Sequence, residues 1–504
     1  MSMTKNVFLV DSELSIVDNI VGIPNQNLCG VFVNSTVEKE RVMQKYPELK
    51  VFIFSDIIDW KITHVSTTDI KRYVATQLKC ERDLSRYLNV YGQISSHYYH
   101  ALAFWLYVFN NYHIDCLIVA QAEHGCISDS IPLDIATSRD IPAYTIDPLY
   151  ANSKNVYSGI KDHKTGKYLN LLSLSPNKSK ISLLEVMNQD NTISNSDVDE
   201  RISAVPIPSI RKLIKYFFVV YGNVLRVIGK NTRDILKSQM EIYELLYKFY
   251  FWINVLLNRT ELPKVGIPRK HSYHEFARQL KSLKKRNKYY SSHAVSQISN
   301  EKNSIVYALH FEPEASILNR TTYNSQLYNI TMLSNLLPDG WILYVKEHPH
   351  QINLLTSKKN WYLHKADCYK SQEYYSQLLE LPNVELLDYN ITSGSILKEY
   401  AGNGIGLKAI ATINGTISLE ALEKNIPVIL FDFGSTAYSS EISNIHVVED
   451  SNSLRLSISK IATMGAVSEC DKNQLSKITE YLFRFKHDDI SEILTNLIYS
   501  TQTD

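Results

Sequence analysis

The feature that most constrains this chain is a recurring unit: a short apolar run, ending on small or polar residues, followed by a helical pattern. In the first 150 residues the runs are Val7–Val10, Gly30–Val33, Val51–Phe54, Cys116–Ala120 and Ala143–Ile146. They end at Asp11, Asn34-Ser35, Ser55-Asp56, Gln121 and Asp147. Apolar runs without polar alternation fit strands buried on both faces. A long helical pattern fills the stretch from Asp69 to Tyr112 and includes Tyr98, Leu102, Trp105 and Phe109. Strands alternating with helices predict a parallel, doubly wound sheet.

A second series begins at Ser304. Its strand candidates are Ile305–Leu309, Trp341–Val345, Val384–Leu387, Lys408–Ile413, Val428–Phe431 and His446–Val448. Helical patterns lie at Thr322–Leu337, Tyr374–Leu379, Ile417–Glu423 and Leu454–Met464, with two more at Asn473–Phe485 and Ile490–Tyr499. The 504 residues leave room for two or three domains of roughly 100–200 residues each. The expected fold class is α/β: two facing Rossmann-like halves with a largely helical insertion between them. The expected boundaries are 1–150 for the acceptor-side half, 151–300 for the insertion and linker, and 301–470 for the nucleotide-binding half. Helices in 471–504 are expected to pack back toward the first half.

The middle region differs in texture. Lys, Asn and Ser dominate 153–202, Pro263, Gly266 and Pro268 break the chain, and a basic run follows with Arg278, Lys281, Lys284, Lys285, Arg286 and Lys288. That run reads as a solvated helix face, and 285–303 as a polar linker. Leu213–Ile228 and Leu245–Leu257 carry basic flanks and aromatic residues. Such segments are core helices or helices lying on a membrane surface. No window of 18 apolar residues predicts a span, and Met1–Val10 lacks the pattern of a signal peptide.

The net charge of +1 gives no sign of a nucleic-acid partner. Six scattered cysteines form no C-x-x-C pair and read as reduced residues of a cytoplasmic protein. No Walker loop and no G-x-S-x-G elbow occurs. Asp197-Val-Asp199 lies in the polar insertion and carries little weight as a metal site. No metal and no cofactor is expected.

Four constellations remain, each at a strand end, where open α/β sheets bind ligands. In the first, Trp341–Val345 runs into Lys346-Glu347-His348-Pro349. Pro349 holds His348 extended, so the ring can offer an N–H to a phosphate oxygen, with Lys346 adding charge. In the second, Lys408–Ile413 meets the tight turn Asn414-Gly415, and a helix starts near Thr416. Thr416 suits an N-cap, Gly415 admits a ligand to the backbone, and helix N-termini attract phosphate. Glu420 shares a side with Thr416 and can bind a ribose diol. In the third, His310, Glu312 and Glu314 offer acid/base groups. In the fourth, Glu123 and His124 follow a first-half strand and are candidates for a base on the acceptor side.

Residues Ser304 to Gly434 resemble the capsule polysaccharide biosynthesis proteins, bacterial glycosyltransferases of the GT-B type. The motifs that carry this are Leu309-His310-Phe311-Glu312-Pro313-Glu314, Val345-Lys346-Glu347-His348-Pro349, and Thr412–Thr416 with Glu420-Ala421-Leu422 and Pro427-Val428. The resemblance implies a metal-independent transferase that moves a sugar from a nucleotide-activated donor to a glycan or lipid-linked acceptor. Its likeness to Kdo and sialic-acid transferases implies a CMP-activated acidic sugar, with His348 and Thr416 on the donor phosphate and Glu420 on the ribose. A CDP-alcohol polyol-phosphate transferase and a non-catalytic assembly partner are the alternatives. Peripheral contact with the inner membrane face is a further expectation.

Overall fold

In the computed structural model, the described residues are 4–10, 14–33, 35–53, 56, 65–86, 88, 91–120, 127–151, 156–174, 273–318, 321, 323–354, 365–401, 404–431, 443–463, 483–484 and 490–500. They form two sheets, each of seven strands. The first takes β1 (Lys5–Val10), β2 (Gln26–Val33), β3 (Val51–Ile53), β4 (Cys116–Ala120), β5 (Ala143–Ala151) and β6 (Val156–Asp162). The second takes β7 (Ala294–Val295), β8 (Ser304–Ala308), β9 (Ile342–Lys346), β10 (Val384–Leu387), β11 (Leu407–Thr412), β12 (Val428–Leu430) and β13 (Ile445–Val447). A last strand, β14 (Phe483–Arg484), returns to the edge of the first sheet.

The first sheet has the order β14-β6-β5-β4-β1-β2-β3. Its strands from β3 to β5 are parallel, and β6 and β14 add antiparallel. The second has the order β13-β12-β11-β8-β9-β10-β7 and is parallel throughout. This is the expected α/β class with two Rossmann-like sheets. In the first sheet the chain starts at β1 near the middle, winds to one side, then crosses over; in the second it does the same from β8, with the two-residue β7 added at the far edge. The reversal falls between β1 and β4 in the first sheet and between β8 and β11 in the second.

Alternating side chains of the strands feed cores on both faces. Phe8 and Val10 of β1 pack under the helix Tyr91–Asn111 with Trp105, whose indole N–H donates to the Ile127 carbonyl. Val7 and Leu9 pack on the other face with Ile493, Leu494, Leu497 and Ile498 of the helix Ile490–Ser500. At Gly30 a β-carbon would sit 2.4 Å from the Phe8 ring, so glycine permits the close pairing of β1 and β2. In the second sheet, Ile305 and Tyr307 serve one core and Val306 the other.

Two readings of the sequence need correction. Residues 285–295 are not part of a linker: they complete the helix Tyr273–His293 and form β7, and 296–303 alone connect β7 to β8. Leu283, Arg286 and Tyr290 recur at helical spacing and are buried, while Lys281, Lys284, Lys285 and Lys288 are exposed. The basic face is therefore solvated at its lysines but not at Arg286. Phe483-Arg484, read as the end of a helix, pairs with β6 as a strand. The apolar segments 213–228 and 245–257 and Asp197-Val-Asp199 lie outside the described residues.

Candidate functional site

The reversal between β8 and β11 places three loops at one edge of the second sheet: those after β8, β9 and β11, which are neighbours. Ligands in open α/β sheets bind at such an edge. Three of the four predicted constellations sit on these loops. Glu123 and His124 lie outside the described residues. The strand before them, β4, pairs with β1 at the reversal of the first sheet.

His310 bridges two of the loops. Its Nε2 accepts from the Asn414 backbone N–H at 3.2 Å and lies 3.2 Å from Thr412 Oγ1. An accepting Nε2 leaves the proton on Nδ1, which stands 3.8 Å from Glu314 Oε2. Gln326 fixes the histidine backbone: its Oε1 accepts from His310 N–H at 2.7 Å and its Nε2 donates to His310 O at 3.2 Å. Gln326 is held there because Ser325 caps the helix Gln326–Leu336. The Thr412 hydroxyl donates to the Ala308 carbonyl at 3.1 Å and accepts from Gly415 N–H at 3.3 Å, closing the turn.

Glycine at 415 is a steric requirement. A β-carbon there would meet Thr412 Oγ1 at 2.9 Å and His310 Nε2 at 3.7 Å. Thr416 occupies the N-cap position of the helix Ile417–Glu423 but lies in the αR region and makes no side-chain cap bond. It is exposed at the turn, so the expected capping bond is absent. Glu420, in the first turn of that helix, is half-buried.

The loop after β9 is built on Glu347, to which the sequence reading gave no role. The residue is fully buried. Its Oε1 accepts from His348 N–H at 2.6 Å and from Lys370 Nζ at 2.8 Å. Its Oε2 accepts from the Tyr375 hydroxyl at 2.5 Å, while its own N–H donates to Tyr290. These bonds hold the chain on either side of His348. His348 caps the short helix Pro349–Ile352, with Nδ1 accepting from His350 N–H at 3.1 Å. That bond assigns the ring proton to Nε2. Burial pushes the imidazole down to about 3, so it is a neutral donor near neutral pH. Burial also lowers Lys346, which is half-buried at the strand end.

Glu312 is buried beside this cluster. Its N–H donates to Gln351 Oε1 at 2.8 Å, and its carboxylate lies 3.9 Å from Lys370 Nζ. Desolvation pushes it up to about 7; Lys370 opposes that and Glu347 adds to it. A carboxylate tuned there can exchange a proton near neutral pH. Glu314 is more open and stands close enough to His348 to favour its charged form.

The structure thus gathers Glu312, Glu314, His348 and the Asn414-Gly415 turn around His310. Lys346, Pro349, Thr416 and Glu420 lie on the same sheet edge. The residues that sequence reasoning missed are Lys370, Tyr375, Tyr290, Gln326 and Gln351. Gln326 and Tyr375 fall on predicted helices, but nothing local marks their function. Among the described residues, no group of three or more His, Cys, Asp and Glu side chains is placed to hold a metal ion.

No family model and no curated protein matches the sequence. Among solved structures, the chain is similar to the beta Kdo 2,7 transferase KpsC of Thermosulfurimonas dismutans. That match has 9% identity and a TM-score of 0.31 and covers 94% of this chain and 99% of that one. It is also similar to the UDP-GlcNAc 2-epimerase of Methanocaldococcus jannaschii, with 10% identity, a TM-score of 0.24, and coverage of 95% and 98%. A third is the alpha,alpha-trehalose 6-phosphate synthase of Burkholderia multivorans, with 8% identity, a TM-score of 0.27, and coverage of 99% and 97%. Likenesses of this size carry no argument about chemistry, and the fold stands on its own strand order.

Proposed function

We propose that this protein is a GT-B-type glycosyltransferase of bacterial surface-polysaccharide synthesis. It takes a nucleotide-activated sugar, with a CMP-activated acidic sugar as the favoured donor, and a glycan or lipid-linked acceptor. The observation that carries the reading is the meeting of His310, Glu312, Glu314, His348 and the Asn414-Gly415 turn at the strand reversal of the second sheet. The choice of donor and pathway rests on the motif resemblance of residues 304–434.

The donor phosphate lies beside the Gly415 turn at the start of the helix Ile417–Glu423, while the turn's own N–H groups at Asn414 and Gly415 close it onto His310 and Thr412. His348 gives a neutral Nε2–H bond and Lys346 supplies charge. Glu420 takes the ribose diol. The acceptor hydroxyl approaches from the first half, near Glu123 and His124. Glu312 receives its proton as the acceptor oxygen bonds the anomeric carbon and the sugar–phosphate bond breaks. The nucleotide leaves with its charge held by the same groups, without a metal. The enzyme works in the cytoplasm, and the basic and aromatic segments at 213–257 make peripheral contact with the membrane. Among the described residues no helix is long and apolar enough to cross a membrane.

Calorimetry and transfer assays with CMP-, UDP-, GDP- and dTDP-sugars test the reading. Neither binding nor transfer with any of the four would sink it, and a phosphodiester product would replace it with polyol-phosphate transfer. His348→Ala is expected to lower turnover by roughly a hundredfold, the usual effect of losing a charge-stabilising donor.

A further inference from the structure

Lys370 lies between the short helix Ala366–Tyr369 and the helix Gln372–Leu379, and its side chain is fully buried. Its Nζ donates to the His310 carbonyl at 2.5 Å and to Glu347 Oε1 at 2.8 Å. The same atom stands 3.9 Å from Glu312 Oε2. One ammonium therefore joins the loop after β8 to the loop after β9. Two buried carboxylates share it. Glu347 has the nearer position and two further donors, His348 N–H and the Tyr375 hydroxyl. Glu312 has the longer contact. A second carboxylate on the same cation makes ionisation of the more loosely held one harder, so Glu312, with the longer contact, is the group that keeps its proton to higher pH.

We propose that Lys370 is a positioning residue, which locks the loops carrying His310 and His348 together and is the cation against which Glu312 takes up and releases its proton. This rests on, and deepens, the reading of Glu312 as the proton acceptor. Among the other ionisable groups around Glu312, Tyr307 on β8 and Tyr374 on the helix Gln372–Leu379 are held protonated by burial, as is Tyr369, pushed up to about 12. His348 stays neutral, and His310 and Glu314 pair on the open side. Arg86 of the first half acts on Tyr369, and Arg286 donates to the Lys370 and Gln351 carbonyls. Lys370 and Glu347 are the charges that act on Glu312, with Gln326 adding a hydrogen bond.

Infrared pH-difference spectra of the full chain test this without any nucleotide. The carbonyl band of a buried protonated carboxyl, assigned to Glu312 by its loss in Glu312→Gln, is followed against pH. Lys370→Met should move its midpoint up by about one pH unit or more, since a nearby cation is removed. Glu347→Gln should move it down, because the ammonium then serves Glu312 alone. Lys370→Arg should leave it near the native value. A purely structural role does not give opposite displacements. An unmoved midpoint in the variants that fold overturns the proposal, and so does failure of all three to fold. Because the midpoint is read without a donor, its failure is distinct from failure of the nucleotide-sugar reading.

Discussion

Glu312 makes the stability of the fold depend on pH. Its carboxyl is pushed up to about 7 in the folded protein from an ordinary 4.5, so the folded state binds the proton more tightly than the unfolded chain. Its contribution is fully present below about 4.5 and is lost as pH rises through about 7. Glu312→Gln removes this dependence. The variant should gain on the native protein between pH 5 and pH 8, by up to roughly 3 kcal/mol. His348, held down to about 3, acts in the opposite direction, because the unfolded chain takes up a proton there first as pH falls. Comparing the two proteins at each pH cancels that effect. Denaturant unfolding at both pH values is the measurement, and a constant difference would remove Glu312 as a buried titrating group. Gly415→Ala must displace the Thr412 hydroxyl, which touches His310, so donor affinity should fall about tenfold while the fold loses only about 1–3 kcal/mol. Calorimetric binding beside a melting curve separates the two effects. The Asn-Gly turn and the His-Pro step were legible because each is a rule of local backbone chemistry. Lys370 was not: it meets His310 across 60 positions of sequence, and no local pattern announces such a contact.

At the scale of elements, the apolar runs located most strands to within a residue or two, because buried parallel strands leave little room for polar side chains. The run Cys116–Ala120 coincides with β4 and Val384–Leu387 with β10. Composition misled where burial uses polar atoms. The lysines of the helix Tyr273–His293 make its basic run read as a solvated face throughout, although Arg286 on it is fully buried. That guanidinium donates to the carbonyls of Lys370 and Gln351, under the loops that carry the site. Neighbouring side chains of this one helix should therefore behave differently. Arg286→Ala leaves two buried carbonyls without their donor and should destabilise by roughly 2–6 kcal/mol. Lys285→Ala, on the solvated side, should stay within about 0.5 kcal/mol. Urea midpoints of the two variants give the comparison, and equal values would mean that Arg286 is not held as described. The long pattern from Asp69 to Tyr112 is in fact three helices, Thr67–Arg72, Val74–Leu84 and Tyr91–Asn111. A period of 3.6 marks the face of a helix but does not report a break at Tyr73, where the two faces stay in step.

At the scale of the whole molecule, the segment 365–370 joins the halves to the site. Lys365 Nζ donates to the Leu88 carbonyl at 2.8 Å, and the Tyr369 hydroxyl lies 2.9 Å from Ser85 Oγ. One residue further on, Lys370 reaches His310 and Glu347. The helix Ala315–Leu318, just beyond Glu314, also packs against Val74–Leu84 of the first half. The strand-end loops of the second sheet are thus braced from the first half through two neighbouring contacts. If the donor binds the second half and the acceptor the first, these contacts set the approach of the reacting groups rather than the hold on the nucleotide. A double change, Ser85→Ala with Lys365→Met, removes the polar contacts and leaves both apolar cores intact. Turnover should then fall at least about tenfold, since small misplacements of reacting groups are costly, while the donor dissociation constant stays within about twofold. Single-turnover rates and calorimetry on the same preparation distinguish the outcomes. A loss of donor affinity as large as the loss of turnover would mean that the 365–370 segment serves the nucleotide site alone, and that closure of the halves is governed elsewhere.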